Sequence, residues 1–184
     1  MVVFPPGTGG FLNPADIVKS LGIIKEGMKI ADFGCGHGYF SVPLARRVGN
    51  YGKIYSIDVL PESLEAVSSR MKIEGIKNIE IKRGNLEKEG GSTLENENCD
   101  IVFITNLLFQ TENDQNVIRE AKRILKPEGK VVFIDWRQDA PIGPVGKRIN
   151  PEEAIQLFQN ENFVLERKFF TDNYHYGLIF IKKS

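Results

Sequence analysis

The sequence predicts an α/β fold built on an open, mostly parallel sheet. Two observations carry that prediction. Short apolar runs alternate five times with amphipathic stretches of helical period, which implies parallel strands joined by right-handed crossovers. The last two strand-like segments, Phe163–Phe170 and Gly177–Lys182, have no helix between them, so one of the two runs antiparallel. With 184 residues, 41% of them hydrophobic and 26% charged, residues 1–184 are expected to form a single globular domain with a real core.

Each element has its own signal. Residues 1–11 are rich in Pro and Gly and read as an N-terminal cap segment; with the helix that follows they make up residues 1–22. Asn13-Pro14 is an N-cap followed by proline in the first helical position, and Ile17, Val18 and Leu21 form the apolar face until Gly22 closes the helix. Lys29–Phe33 is the first strand. After Gly34-Cys35-Gly36-His37-Gly38, a helix starting near Gly38 or Tyr39 presents Phe40, Leu44, Ala45 and Val48; Pro43 then falls near its first turn, where a missing N–H costs little. Lys53–Asp58 is the second strand. Pro61 opens a helix with Leu64, Val67 and Met71 on one face and Gly75 as its stop. Ile79–Arg83 alternates as a third strand, and a polar loop with Leu86 and Leu94 as anchors leads to Cys99–Thr105, apolar enough to be buried on both faces. Asp114 is expected to cap a helix carrying Val117, Ile118, Ala121, Ile124 and Leu125, and Lys126-Pro127-Glu128-Gly129 to turn the chain into a fifth strand, Lys130–Asp135. The loop Trp136–Ile149 is long enough to suggest function. Asn150-Pro151 repeats the Asn-Pro helix start, with Glu153 placed for a capping box.

Composition removes several function classes. Lys plus Arg equals Asp plus Glu, 24 each, and the basic residues are scattered, so a nucleic-acid partner is disfavoured. Two cysteines without a CxxC argue against a disulfide scaffold, and with His37 and His175 as the only histidines no metal site can be read from spacing. Met1–Gly10 lacks the basic region and apolar core of a signal peptide, and no run approaches the ~20 residues of a membrane span. The expectation is a cytoplasmic protein with no membrane span.

In open sheets of this kind ligands bind beyond the carboxyl ends of the strands. The glycines after Phe33 suit a tight turn that lets a ligand approach bare backbone, or simply close packing between strand and helix. Asp58, at the end of the second strand, can accept both hydroxyls of a ribose, or be an exposed turn residue. Val59 and Leu60 could cover an adenine and Asn85 could meet its edge, although Asn85 also suits a plain turn. A dinucleotide fingerprint needs its third glycine at position 39, where this chain has Tyr39. The carboxylate of Asp32 would repel a pyrophosphate and attract an ammonium group, which favours a nucleoside bearing an amino acid. No Gly-x-x-x-x-Gly-Lys-Ser/Thr stretch exists, so a P-loop is excluded.

Asp32-Phe33-Gly34-Cys35-Gly36-His37-Gly38 resembles motif I of the class I S-adenosylmethionine (SAM)-dependent methyltransferases. Ile57-Asp58-Val59 resembles their second-strand acid, Gly84-Asn85 their third-strand Gly-Asp, and Leu125-Lys126-Pro127-Glu128-Gly129-Lys130 their turn ahead of strand five. The likeness spans residues 11–182 and is greatest to the group around ubiquinone and menaquinone C-methyltransferases and related small-molecule enzymes. It implies a three-layer, Rossmann-like, seven-stranded sheet of order 3-2-1-4-5-7-6 with strand 7 antiparallel, SAM as cofactor, and motif I around the methionine moiety with Asp32 near its amino group. The cofactor-binding positions so implied are Asp32, Gly34, Cys35, Gly36, Asp58, Val59, Asn85, Leu86 and Asn106. Asn85 departs from the usual Asp, keeping a carbonyl acceptor for the adenine amine and losing the charge.

Methyl transfer is an in-line displacement that rests on positioning and desolvation, and a base is needed only for a protonated nucleophile. Asp135 and His175 are the candidate bases, with Tyr174 and Asp139 nearby; the plainer reading of His175 is a histidine in a surface loop, and of His37 a packing or surface residue. The acceptor pocket is expected from Phe4–Asn13, Leu107–Thr111 and Trp136–Ile149, mostly apolar segments suited to a small or lipophilic methyl acceptor. No Asn-Pro-Pro-Tyr-like tetrapeptide follows strand four, and two cysteines weigh against arsenite methylation. The oligomeric state stays open, with a homodimer as one way to complete the acceptor site. Alternatives to a small-molecule methyltransferase are an RNA or protein methyltransferase and a non-catalytic SAM- or NAD-binding module.

Overall fold

The computed structural model describes residues 12–183. Five helices, α1 (Pro14–Ser20), α2 (Ser41–Val48), α3 (Pro61–Glu74), α4 (Asp114–Ile124) and α5 (Pro151–Asn160), flank seven strands. The strands are β1 (Lys29–Phe33), β2 (Lys53–Asp58), β3 (Ile79–Arg83), β4 (Cys99–Thr105), β5 (Leu125–Trp136), β6 (Phe163–Phe169) and β7 (His175–Lys182). They form one sheet in the order β3-β2-β1-β4-β5-β7-β6, with β7 antiparallel to both its neighbours, as expected from the sequence.

Two apolar layers hold the sheet. Successive residues of β4 face opposite ways: Ile101 and Phe103 pack with Ile17, Val42, Leu44 and Val67 of α1–α3, while Val102 and Ile104 pack with Val117, Ile118 and Phe158 of α4 and α5. Burial of each such side chain contributes roughly 1.5–3 kcal/mol. Residues buried on both faces explain why the central strands read as continuous apolar runs.

Local signals account for most helix ends. Asn13 Oδ1 accepts from Asp16 N at 3.3 Å and Asn150 Oδ1 from Glu153 N at 2.8 Å, so both Asn-Pro pairs cap as the sequence suggests. Gly75 ends α3 in the left-handed region at φ +68°. Four details differ. Helix α2 starts at Ser41, later than Gly38, because residues 34–40 are used in the turn; Pro43 still falls in its first turn. Asn113, one residue before Asp114, caps α4 by accepting from Asn116 N. Strand β5 already pairs at Leu125, and residues 126–129 bulge out opposite Asp100 before pairing resumes at Lys130, so the Lys-Pro turn lies within the strand. Strand β7 begins at His175, because Trp136 lies opposite it in the antiparallel ladder.

Candidate functional site

A cavity of about 700 Å³ opens at the carboxyl ends of β1–β4, within the size range of small-molecule sites. Its wall includes all nine positions singled out from the sequence: Asp32, Gly34, Cys35 and Gly36 after β1, Asp58 and Val59 after β2, Asn85 and Leu86 after β3, and Asn106 after β4. Close approach of backbone builds it. A Cβ at Gly34, where φ is +65°, would strain the turn and lie 2.7 Å from Leu107 Cδ1, so a larger residue there would have to displace the Leu107 side chain from the wall.

The turn is not an anion cradle. Cys35 N donates to Ile57 O (3.0 Å), Gly36 N to Asp58 Oδ2 (2.9 Å) and Gly38 N to Cys35 O (2.9 Å). Three of the N–H groups that a glycine turn ahead of a helix can aim at a phosphate are therefore consumed within the protein. Among the described residues lining the cavity are three carboxylates, Asp32, Asp58 and Glu87, and no Lys or Arg. This electrostatic environment suits a cationic ligand and opposes a pyrophosphate.

The two acids after β1 and β2 differ. Asp32 is 2% exposed and accepts from Ser41 Oγ at 2.5 Å, with Ser56 Oγ donating in turn to Ser41 Oγ at 2.7 Å. Burial, opposed by the Ser41 hydrogen bond and reinforced by Asp58, raises the Asp32 carboxyl from 3.8 to about 7. Asp58 Oδ1 accepts from Leu60 N (3.0 Å) and Oδ2 from Gly36 N, which leaves each oxygen a further lone pair toward the cavity. Asn85 Oδ1 accepts from Glu87 N at 2.9 Å, so its carbonyl already serves the local turn and its Nδ2 is the group to offer a ligand. The Cys35 thiol is pushed up by burial and by both acids, which makes it a packing group rather than a nucleophile. Val59 and Leu60 are 46% and 49% exposed at the rim.

The candidate bases do not line this cavity. Asp135 is fully buried on the α4–α5 face, accepts from Trp136 N (2.7 Å), and has an Oδ2 without a partner; burial raises it from 3.8 to about 7. His175 is no surface-loop residue: it is 3% exposed, its ring 4.0 Å from that of Trp136 on the α1–α3 face. Because Trp136 and His175 pair across β5 and β7, Asp135 one residue earlier points to the opposite face, so Asp135 and His175 cannot act on one proton. Burial lowers the His175 imidazole against the pull of Asp172. Asp139 is exposed and paired with Arg137, Tyr174 O accepts from Arg137 N, and His37 is exposed.

Of the expected acceptor segments, Leu12, Leu107, Gln110 and Thr111 line the cavity, and residues 4–11 lie outside the described residues. The loop Trp136–Ile149 does not line it. Arg148 donates to the carbonyls of Arg137, Ala140, Ile142 and Pro144 at 2.8–3.1 Å and folds the loop onto itself. Lys147 reaches the rim by donating to Thr111 O at 3.3 Å, and it pairs with Asp114 at 2.6 Å. Sequence reasoning missed Ser41 and Ser56, which hold Asp32, and the contact of Asp172 with His175; the latter had a local signal in its i, i+3 spacing. Among the described residues no group of His, Cys, Asp or Glu could hold a metal ion, and no helix is long and apolar enough to cross a membrane.

Residues 24–173 match the family model described as a methyltransferase domain. A demethylmenaquinone methyltransferase of Lactococcus lactis is 34% identical over 147 residues, covering 78% of this chain and 53% of that protein. One from Bacillus cytotoxicus is 28% identical over 120 residues, covering 65% and 49%. The chain spans about half the length of the curated relatives it matches. A SAM-dependent methyltransferase structure from Aquifex aeolicus superposes with a TM-score of 0.79 at 25% identity, covering 92% of this chain and 89% of that one. The [4+2]-cyclase SpnF superposes with a TM-score of 0.77 at 16% identity, covering 92% and 79%, a likeness of fold alone.

Proposed function

This chain belongs to the class I SAM-dependent methyltransferase family, whose cofactor is S-adenosylmethionine, and from that premise we propose that it transfers the methyl group to a small-molecule acceptor in the cytoplasm. The observation that carries the choice of donor is the cavity itself, with three acids, no Lys or Arg among its described lining, and the turn N–H groups of Cys35, Gly36 and Gly38 already paired. Those features weigh against a dinucleotide and against a nucleic-acid acceptor, both of which bring phosphates that Lys, Arg or free N–H groups usually meet. The menaquinone-directed relatives and the apolar share of the wall, Leu12, Phe40 and Leu107 among it, support a small and largely apolar acceptor.

In this reading Asp58 accepts the ribose hydroxyls on the lone pairs left by Gly36 and Leu60, Val59 and Leu60 fold over the adenine, and Asn85 meets its edge with Nδ2. Asp32, kept dry and oriented by Ser41, ionises against the ammonium group. Bound SAM supplies an electrophilic methyl carbon on a sulfonium. The chain's contribution is to orient that carbon and exclude water around it. None of the sequence-derived bases lines the cavity, which fits an acceptor that arrives ionised or carbon-nucleophilic.

Calorimetry with S-adenosylhomocysteine (SAH) and NAD tests the reading: SAH is expected to bind and NAD not to. NAD binding without SAH binding would sink it. A panel of acceptors, with the S-adenosylhomocysteine product as readout, then identifies the acceptor class.

A further inference from the structure

The proposed function uses two of the three acids on the cavity wall, Asp32 and Asp58, and leaves Glu87 without a role. Glu87 is half-buried and lies in the loop after β3, two residues past Asn85. Its Oε2 accepts the backbone N–H groups of Glu112 and Asn113, at 2.9 and 2.8 Å, where the chain enters α4. Its backbone carbonyl accepts from Asn116 Nδ2 at 2.9 Å. Further along the loop, Gly90 N and Ser92 N donate to the Glu120 carboxylate of α4, at 3.0 and 2.9 Å. Helix α4 thus holds the loop at both ends of residues 87–92, and one carboxylate oxygen of Glu87 is fixed. The other, Oε1, takes no hydrogen bond from the described residues and is not closed off from solvent. An ionised carboxylate only accepts, so whatever meets Oε1 must bring an N–H or an O–H.

Asn85 has the opposite capacity left. Its Oδ1 is taken by Glu87 N at 2.9 Å, so it offers a ligand Nδ2 and no acceptor. The same short loop therefore presents one donor and one acceptor to the cavity. An adenine edge carries the complement, an acceptor at N1 and a donor in the 6-amino group. Hypoxanthine carries the reverse, an oxo acceptor at C6 and an N–H at N1. A carboxylate already held by two backbone N–H groups needs no reordering to meet that amine, and a charged acceptor strengthens the bond.

We propose that Glu87 is the specificity-determining residue for the nucleobase: its Oε1 accepts from the 6-amino group of the bound adenine while Asn85 Nδ2 donates to N1. This assignment rests on the SAM reading of the cavity and adds to it the residue that selects the base.

Glu87→Gln tests it. The two backbone N–H groups keep the new amide's oxygen in the Oε2 place, so the tie to α4 is preserved and NH2 stands where Oε1 was. Calorimetry then compares SAH with the analogue whose purine lacks the 6-amino group and keeps N1. The wild type should bind SAH at least about tenfold more tightly than the analogue. In Glu87→Gln that preference should vanish or reverse through weaker SAH binding, with the analogue held within about threefold of its wild-type affinity. Asn85→Ser is the counterpart. Its hydroxyl oxygen still accepts from Glu87 N and Nδ2 is lost, so both ligands should weaken and the preference should remain. If Glu87→Gln does not fold, Asn85→Ser and the wild type decide. A wild type that binds SAH and its analogue alike, a preference that survives Glu87→Gln, or one that Asn85→Ser abolishes would overturn the role of Glu87 and leave the SAM reading standing. A wild type that binds neither ligand overturns the SAM reading with it.

Discussion

At the ends of β1 and β2 the buried acids have partners within the protein: Ser41, itself held by Ser56, serves Asp32, and the N–H groups of Gly36 and Leu60 serve Asp58. At the ends of β4 and β5, Thr105 Oγ1, Asn106 Oδ1 and Asp135 Oδ2 are buried without any. The first half of the sheet's carboxyl edge is prebuilt by short-range contacts around one turn. The second is assembled from strands and loops far apart in sequence, and it leaves polar atoms with free capacity. A prebuilt half suits a fixed cofactor, whereas the unpaired oxygens of the other half lie out of reach of solvent and carry a desolvation cost within the fold.

The largest effect should come from breaking the prebuilt half's backbone. A Cβ at Gly91 would sit 1.7 Å from Asn85 O and 2.8 Å from Lys88 O, so Gly91→Ala must displace the loop carrying Asn85 and Leu86. A loss of about 3 kcal/mol in urea unfolding is expected. A loss below about 1 kcal/mol would mean that the loop is not held as tightly as the turn beside it.

Asp58→Ala follows. It removes the acceptor for two N–H groups, costing about 2 kcal/mol of stability. It should also weaken SAH binding more than tenfold, about 1.4 kcal/mol. Unchanged affinity would remove Asp58 from the proposed ribose role and leave it a structural acid.

Asp135 tests the other half through pH. Its folded-state pKa lies near 7, above the ordinary 3.8, so the native protein holds that proton more tightly than the unfolded chain. Its contribution to stability is therefore greatest below pH 4 and is lost as pH rises toward 7. Asp135→Asn cannot ionise. Relative to wild type it should gain about 2 kcal/mol between pH 5 and pH 8, measured by chemical denaturation. A constant difference across that range would show that Asp135 is ionised and paired in the native state.

Asp32 sits in the same pH range, yet its expected effect is on binding. The ligand's ammonium favours the ionised carboxyl, so SAH affinity should rise a few-fold from pH 6 to pH 8, and Asp32→Asn should flatten that slope. A slope that survives the substitution would assign the proton to another group.

The two halves also differ in how much of them could be read in the sequence. Gly34-Cys35-Gly36, Asp58 and Asn85 were legible because strand-end chemistry there is local: a strand stops, glycines permit the turn, and the next acid comes from the neighbouring parallel strand. The Asn-Pro caps and the apolar run of β4 were legible for the same reason. His175 was misplaced because its burial depends on Trp136 across an antiparallel ladder, a pairing that no local pattern encodes. The long loop was expected on the wall because its length alone suggested function. What folds it away is Arg148 meeting four carbonyls at once, a contact set visible only in three dimensions.

The smallest expected effect probes where that loop belongs. Lys147 joins it to the start of α4 through Asp114, and to Thr111 O at 3.3 Å on the cavity rim. With the lysine side chain 40% exposed, the pair contributes at most about 1 kcal/mol, so Lys147→Ala should lower Tm by roughly 2–4 °C or less. SAH affinity should not move, because the prebuilt half holds its groups without this loop. The Michaelis constant of an accepted methyl acceptor should rise, since Thr111 loses its tie at the unsatisfied half. A fall in SAH affinity with no change for the acceptor would place the loop with the cofactor, and the two halves would then have to be treated as one site.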